Sequence, residues 1–128
     1  MIHTNNYSEF LAIKQEIQEK KLFFIKIVSD SMEPLLNVGS KYTVVPVNLN
    51  QLKQFDIILF WQNDRPNAHF YWGKHLAGNI KGHMSRSLKY PSDVDLPIKD
   101  EYILGIIPIK LKLRHKIIFL WRYYFSKV

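Results

Sequence analysis

Five short runs rich in β-branched and aromatic residues, separated by turn-forming clusters, constrain this chain more than anything else in it. They are Leu22 to Val28, Tyr42 to Val47, Asp56 to Trp61, Ala68 to Trp72 and Tyr102 to Ile109. Such side chains fit a pleated, half-buried surface. Asn37-Val38-Gly39, Asn48 to Gln51 and a polar loop from Gln62 to Asn67 break the runs, and Gly73 and Gly78 punctuate the stretch after the fourth. Strands this short, at this spacing, imply a closed or sandwiched, mainly β structure. One helix precedes them: Ser8 can cap a helix over about 9 to 20, with Phe10, Ile13 and Ile17 on one face and Glu16, Glu19 and Lys20 on the other. Ser85 to Asp100, with Pro91 and Pro97, reads as a surface excursion before the last strand. No internal repeat, low-complexity segment or linker interrupts the chain. The expectation is a single domain over 1–128, with an N-terminal helical segment (1–21), a β core (22–109) and a basic C-terminal segment (110–128).

Charge is concentrated at one end. Six of the 18 basic residues fall in 110–128 (Lys110, Lys112, Arg114, Lys116, Arg122 and Lys127) with no acidic residue, which leaves 1–109 at +1 of the total +7. In that segment the cations alternate with Leu111, Leu113, Ile117, Ile118, Phe119, Leu120, Trp121, Tyr123, Tyr124 and Phe125. The first reading is a final strand and helix with its apolar side in the core. The second is peripheral contact with an anionic membrane surface, and nucleic acid is the least favoured partner. No apolar run approaches the roughly 18–20 residues that span a bilayer, and residues 1 to 20 are too polar for a signal peptide or anchor. A cytoplasmic or peripherally membrane-associated location is expected. Without cysteine there is no disulfide, thiolate nucleophile or cysteine-type zinc site.

The segment that could carry chemistry is Ile27-Val28-Ser29-Asp30-Ser31-Met32-Glu33-Pro34-Leu35-Leu36. A β-rich run ends there in a proline-stopped turn that presents a hydroxyl. Serine is a poor nucleophile unless a base and an oxyanion site surround it. The sequence Ser29 to Leu35, then Val38-Gly39, Tyr42 to Val45 and Phe55 to Phe60 resembles the serine peptidase superfamily that contains type I signal peptidases and the LexA-type self-cleaving repressors. Ile80-Lys81-Gly82, Asp95-Leu96-Pro97-Ile98 and Tyr102 to Ile107 extend the resemblance over about residues 22 to 109. It implies a compact signal-peptidase- or LexA-like β-barrel or coiled β-sheet domain.

The resemblance implies a serine endopeptidase with Ser31 as nucleophile, acting on extended peptide or preprotein substrates and needing no metal or organic cofactor. Met32 and Pro34 would then shape the turn, Met32 by packing inward. The Ser29 hydroxyl and the Ser31 backbone N–H would receive the oxyanion. Members of the superfamily use either a desolvated lysine or a histidine supported by an aspartate as base. His69, 38 residues after Ser31, is favoured here; Lys74 is the alternative base and His75 a third candidate. A histidine needs an orienting carboxylate, and Lys81-Gly82-His83 lacks the family's aspartate at its third position. Asp95 is therefore the expected orienter, with Asp93 behind it. Ser40 replaces the Asp of the family's turn, Phe55 the glycine before Asp56, and Phe70 the arginine after the histidine. The alternatives are a catalytically silent relative that binds peptides or a membrane surface, and a LexA-type self-cleaving regulator.

Overall fold

The computed structural model describes residues 2–77, 80–93 and 95–125. The turn glycine Gly78 and Lys127 of the basic segment lie outside them. Helix α1 (Ile2–Lys20) leads into a two-stranded sheet of β1 (Phe23–Lys26) and β2 (Lys41–Val44). A four-stranded antiparallel sheet comes next, built from β3 (Ile57–Gln62), β4 (Arg65–Ala77), β5 (Ile80–Arg86) and β6 (Ile103–Ile107) in the order β5-β4-β3-β6, and α2 (Leu113–Phe125) ends the described chain. The protein is mainly β with an N-terminal helix. Among the described residues the strands do not close into a barrel; the two sheets meet at one bridge, Val45 to Ile106. Gly105 makes that junction sterically open, since a Cβ there would lie 2.6 Å from the Val45 carbonyl oxygen. No helix among the described residues is long and apolar enough to cross a membrane.

Helix α1 starts earlier than Ser8, because Asn5, Asn6 and Tyr7 include no proline or glycine to stop it. It ends at Lys21, which turns left-handed (φ 59°) while its N–H donates to the Ile17 carbonyl. Phe10, Ile13 and Ile17 are buried as their spacing requires. Each such side chain contributes on the order of 2 kcal/mol by leaving water. Strand β3 is buried on both faces: Ile57, Leu59 and Trp61 enter the main core, and Ile58 and Phe60 join Tyr71, Ile98 and Ile103 on the other side. A strand covered on both faces reads as a continuous apolar run rather than an alternation.

Two expected loops are more ordered than the composition suggested. Residues 62 to 67 are not a loop but a tight hairpin. Asn63 and Asp64 are both left-handed (φ 57° and 60°), the conformation of a type I′ turn that these two residue types tolerate, and β4 begins at once. Residues 85 to 100 are not a surface excursion. Ser85 belongs to β5, Leu88, Pro91 and Ile98 are buried, and a His83–Ile98 bridge fastens the segment to β5.

Phe55 stands where the superfamily pattern has glycine, and it adopts the left-handed conformation (φ 76°) that glycine favours. Its ring meets those of Phe70, Trp72 and Phe119 edge-on at 5.2–5.3 Å. That aromatic packing offsets a backbone cost of about 1–2 kcal/mol.

Candidate active site

The turn that carries Ser31 is anchored from below. Met32, Leu35 and Leu36 are buried, and the Leu35 and Leu36 N–H groups both donate to the Met32 carbonyl, so the chain curls and leaves Ser31 half-buried at the surface. The segment after β5 braces it. Lys89 N–H donates to the Ser31 carbonyl (2.8 Å), Leu88 N–H to Met32 Sδ (3.3 Å), and the Lys89 ammonium pairs with the Asp30 carboxylate. That pairing holds Asp30 below the usual carboxylate range. From behind, the Arg122 guanidinium of α2 donates to the carbonyls of Glu33 and Leu88, each at 3.2 Å.

His69 lies on β4 opposite Ile58 of β3, with its ring 5.7 Å from that of Phe60. Its Nε2 is 3.0 Å from Ser31 Oγ, and its Nδ1 is 2.6 Å from Asp95 Oδ2. Three residues separated by 38 and 26 positions in sequence thus stand in one hydrogen-bonded line. Burial pushes the Asp95 carboxyl up, but the hydrogen bond and charge of His69, the Ser85 hydroxyl and the Arg86 guanidinium together outweigh it, and the net direction is down. Asp95 is therefore ionised at neutral pH and can only accept. Nδ1 then carries the proton in that contact, and in the neutral imidazole Nε2 is the nitrogen left to accept from the Ser31 hydroxyl.

Asp95 is itself held at two points. Ser85 Oγ donates to the same carboxylate oxygen, Oδ2, at 2.6 Å, and Asp95 N–H donates to the Ser85 carbonyl at 3.2 Å. Ser85 is fully buried in β5. Sequence reasoning missed it because its neighbourhood has the composition of a loop; its alternation with His83 along β5 was the available signal.

His83 stands where the superfamily pattern has aspartate, and it belongs to a second buried cluster. The Tyr71 hydroxyl is hydrogen-bonded to its Nδ1 (2.9 Å), and its Nε2 contacts Asp100 Oδ1 (2.6 Å). Burial, and then the Asp100 charge, push the Tyr71 hydroxyl up, so it keeps its proton. Tyr71 lies two residues after His69 on β4 and pairs with Ser85 across the ladder. The two clusters thus adjoin where β4 meets β5, and each draws a carboxylate from 95–100.

The other sequence candidates lie apart from this line. Lys74 is exposed, five residues beyond His69 on β4, a distance of about 16 Å along a strand. His75 is half-buried opposite Gly82, and Asp93 is exposed, with its N–H on the Tyr90 carbonyl. Ser29 sits beside Ser31, its hydroxyl oxygen accepting the Ser31 N–H at 3.2 Å. The two groups expected to serve one oxyanion thus converge, and each is the other's partner. Phe70 is buried in the core, but Arg86 lies directly across the ladder from it and places a positive charge near Asp95.

A groove of about 470 Å³ opens over Ser31 and His69, with apolar walls from Ile25, Ile27, Met32, Leu59 and Ala68. It runs between β1 and residues 65–69 of β4. Among the described residues strand β1 is paired only with β2, and β5 reaches β4 only from Phe70 onward, so both segments have a strand neighbour on one side alone. Among the described residues, no group of three or more His, Asp or Glu side chains is placed to hold a metal ion. No protein-family model, curated protein or solved structure matches the chain.

Proposed function

We propose that this chain is a serine endopeptidase of the signal-peptidase and LexA type, with Ser31 as nucleophile, His69 as general base and Asp95 as the group that orients His69. The observation that carries the proposal is the continuous line from Ser31 Oγ to His69 Nε2 (3.0 Å) and from His69 Nδ1 to Asp95 (2.6 Å). A solvated histidine on a strand surface has no reason to sit between a half-buried serine and an ionised, hydrogen-bonded aspartate. The finer fold assignment, a coiled sheet of the signal-peptidase and LexA type, belongs to the same proposal.

In the reaction Ser31 Oγ attacks the peptide carbonyl carbon while its proton passes to His69 Nε2. The carbonyl π electrons move to oxygen, and the Asp95 carboxylate stabilises the imidazolium that forms. The oxyanion takes over the Ser31 N–H from the Ser29 oxygen, and the Ser29 hydroxyl turns its own proton toward it. Collapse of the tetrahedral intermediate breaks the C–N bond, with the proton on Nε2 going to the departing amine. Water, deprotonated by the same nitrogen, then hydrolyses the acyl-enzyme and restores Ser31. A positioned base contributes about 100- to 10,000-fold, and an oxyanion donor about 100- to 1,000-fold.

The groove supports an extended substrate. A peptide laid between β1 and 65–69 of β4 can add backbone hydrogen bonds to strands that have one neighbour each. Small side chains near the cut are what the resemblance implies. Purified protein incubated with a signal-peptide-like substrate cleaves it, and Ser31→Ala loses at least about a thousandfold of that rate; equal cleavage by both forms overturns the assignment. Fragments in the protein alone on standing at high pH, absent in Ser31→Ala, would instead mark a self-cleaving enzyme.

A further inference from the structure

Helix α2 is apolar on two opposite sides. One side, with His115 and Phe119 buried and Ile118 and Tyr123 packed against the core, closes the main core. The other carries Leu113 (73% exposed), Ile117, Leu120, Trp121 (64%) and Tyr124 (67%). At about 100° per residue these five fall within a sector of about 100°. Arg114 borders one side of that sector and Lys116 the other, both exposed. Phe125 extends it by packing against Trp121, with ring centroids 4.3 Å apart and the planes tilted by 33°. An ordinary surface helix turns charged and polar residues to water on the side away from the core.

We infer that this outer face of α2 is a docking surface for an anionic lipid bilayer, on which the protein lies with α2 in the headgroup region. Charge selects this occupant. Lys110, Lys112, Arg114 and Lys116 are exposed, and 110–125 contains no acidic residue. A second copy of α2 laid against the first would bring like-charged borders together with nothing on either helix to neutralise them. An anionic surface meets both borders at once while the acyl region receives the apolar stripe. Trp and Tyr favour that boundary, each having an apolar ring and a polar handle. The docked face and the Ser31 turn move together, because Arg122 on the core side of α2 holds the Glu33 and Leu88 carbonyls.

Co-sedimentation of the full chain with phosphatidylcholine vesicles, with and without phosphatidylglycerol, tests the inference and needs no peptidase activity. The protein partitions onto the anionic vesicles, and raised salt weakens the binding. Lys112→Gln/Arg114→Gln lowers the partition coefficient about 30-fold, at about fivefold per cation, and Trp121→Ser/Tyr124→Ser lowers it at least tenfold. All four positions are exposed, so circular dichroism of both variants matches that of the unaltered protein. Three results overturn the inference: no retention on anionic vesicles, equal retention of the Trp121→Ser/Tyr124→Ser variant, or equal binding to vesicles of phosphatidylcholine alone. A concentration-dependent dimer in ultracentrifugation that Trp121→Ser abolishes, without vesicle binding, assigns the face to a second copy and overturns it as well.

Discussion

Replacing Asp95 by asparagine separates the charge of this residue from its geometry. His69 Nδ1–H and Ser85 Oγ–H both converge on one oxygen, Oδ2, at 2.6 Å each. An asparagine keeps both hydrogen bonds only with its carbonyl oxygen in that place, because its NH₂ group would face two donors. Ser85 therefore locks the amide in the orientation that preserves the His69 tautomer, and only the negative charge is lost. That charge stabilises an imidazolium about 4 Å away by about 4 kcal/mol at an effective dielectric of about 20. The rate then falls about a thousandfold, at 1.36 kcal/mol per tenfold. Removing the lock in Asp95→Asn/Ser85→Ala frees the amide to present its NH₂ to His69 and invert the tautomer, which costs about ten thousandfold in a triad. The assay is the second-order rate of Ser31 modification by a fluorophosphonate, which reads nucleophile activation without a known substrate. An Asp95→Asn variant as reactive as the unaltered protein refutes the orienting role. A ten-thousandfold loss in the single variant, with no further loss in the double, refutes the Ser85 lock.

The remaining predictions concern stability. Phe119→Ala removes the ring that meets Phe55, Phe70, Trp72 and Tyr123, and urea denaturation should show a loss of about 3–5 kcal/mol, enough to detach α2 from the core. His83→Phe leaves the buried Tyr71 hydroxyl without its hydrogen-bond partner and should cost about 1–3 kcal/mol in the same assay. Asp95 is held below its ordinary value of 3.8, so its contribution is complete above that pH and is lost as pH falls through the depressed folded value. Thermal unfolding between pH 5 and pH 2 should fall more steeply in the unaltered protein than in Asp95→Asn; parallel slopes would contradict the shift.

The β content was legible because the five apolar runs carry their own period and composition. Four became β1, β2, β3 and β6 with ends moved by a few residues, and the fifth became the middle of a longer β4. The hairpin at Asn63-Asp64 was missed because polarity alone does not separate a loop from a two-residue turn; the left-handed tolerance of Asn and Asp was the finer signal. The 85–100 segment misled for a different reason. Its prolines and charges look solvated, yet Leu88 and Ile98 are buried, Leu88 against Met32, 56 positions away, and Ile98 against His83 of β5. At the site, Ser31, His69 and Asp95 could be named from the motif order, whereas Ser85 and the Tyr71–His83–Asp100 cluster could not. Side-chain contacts between β4, β5 and 95–100 bring them together, and one chain read linearly does not display those contacts.

Fluorophosphonate labelling followed by peptide mapping tests the central claim, that Ser31 is activated by His69, most directly. A single adduct on Ser31 is predicted, with its rate reduced at least about a hundredfold in His69→Ala. An unlabelled protein, or a Ser31 that reacts equally in His69→Ala, contradicts it.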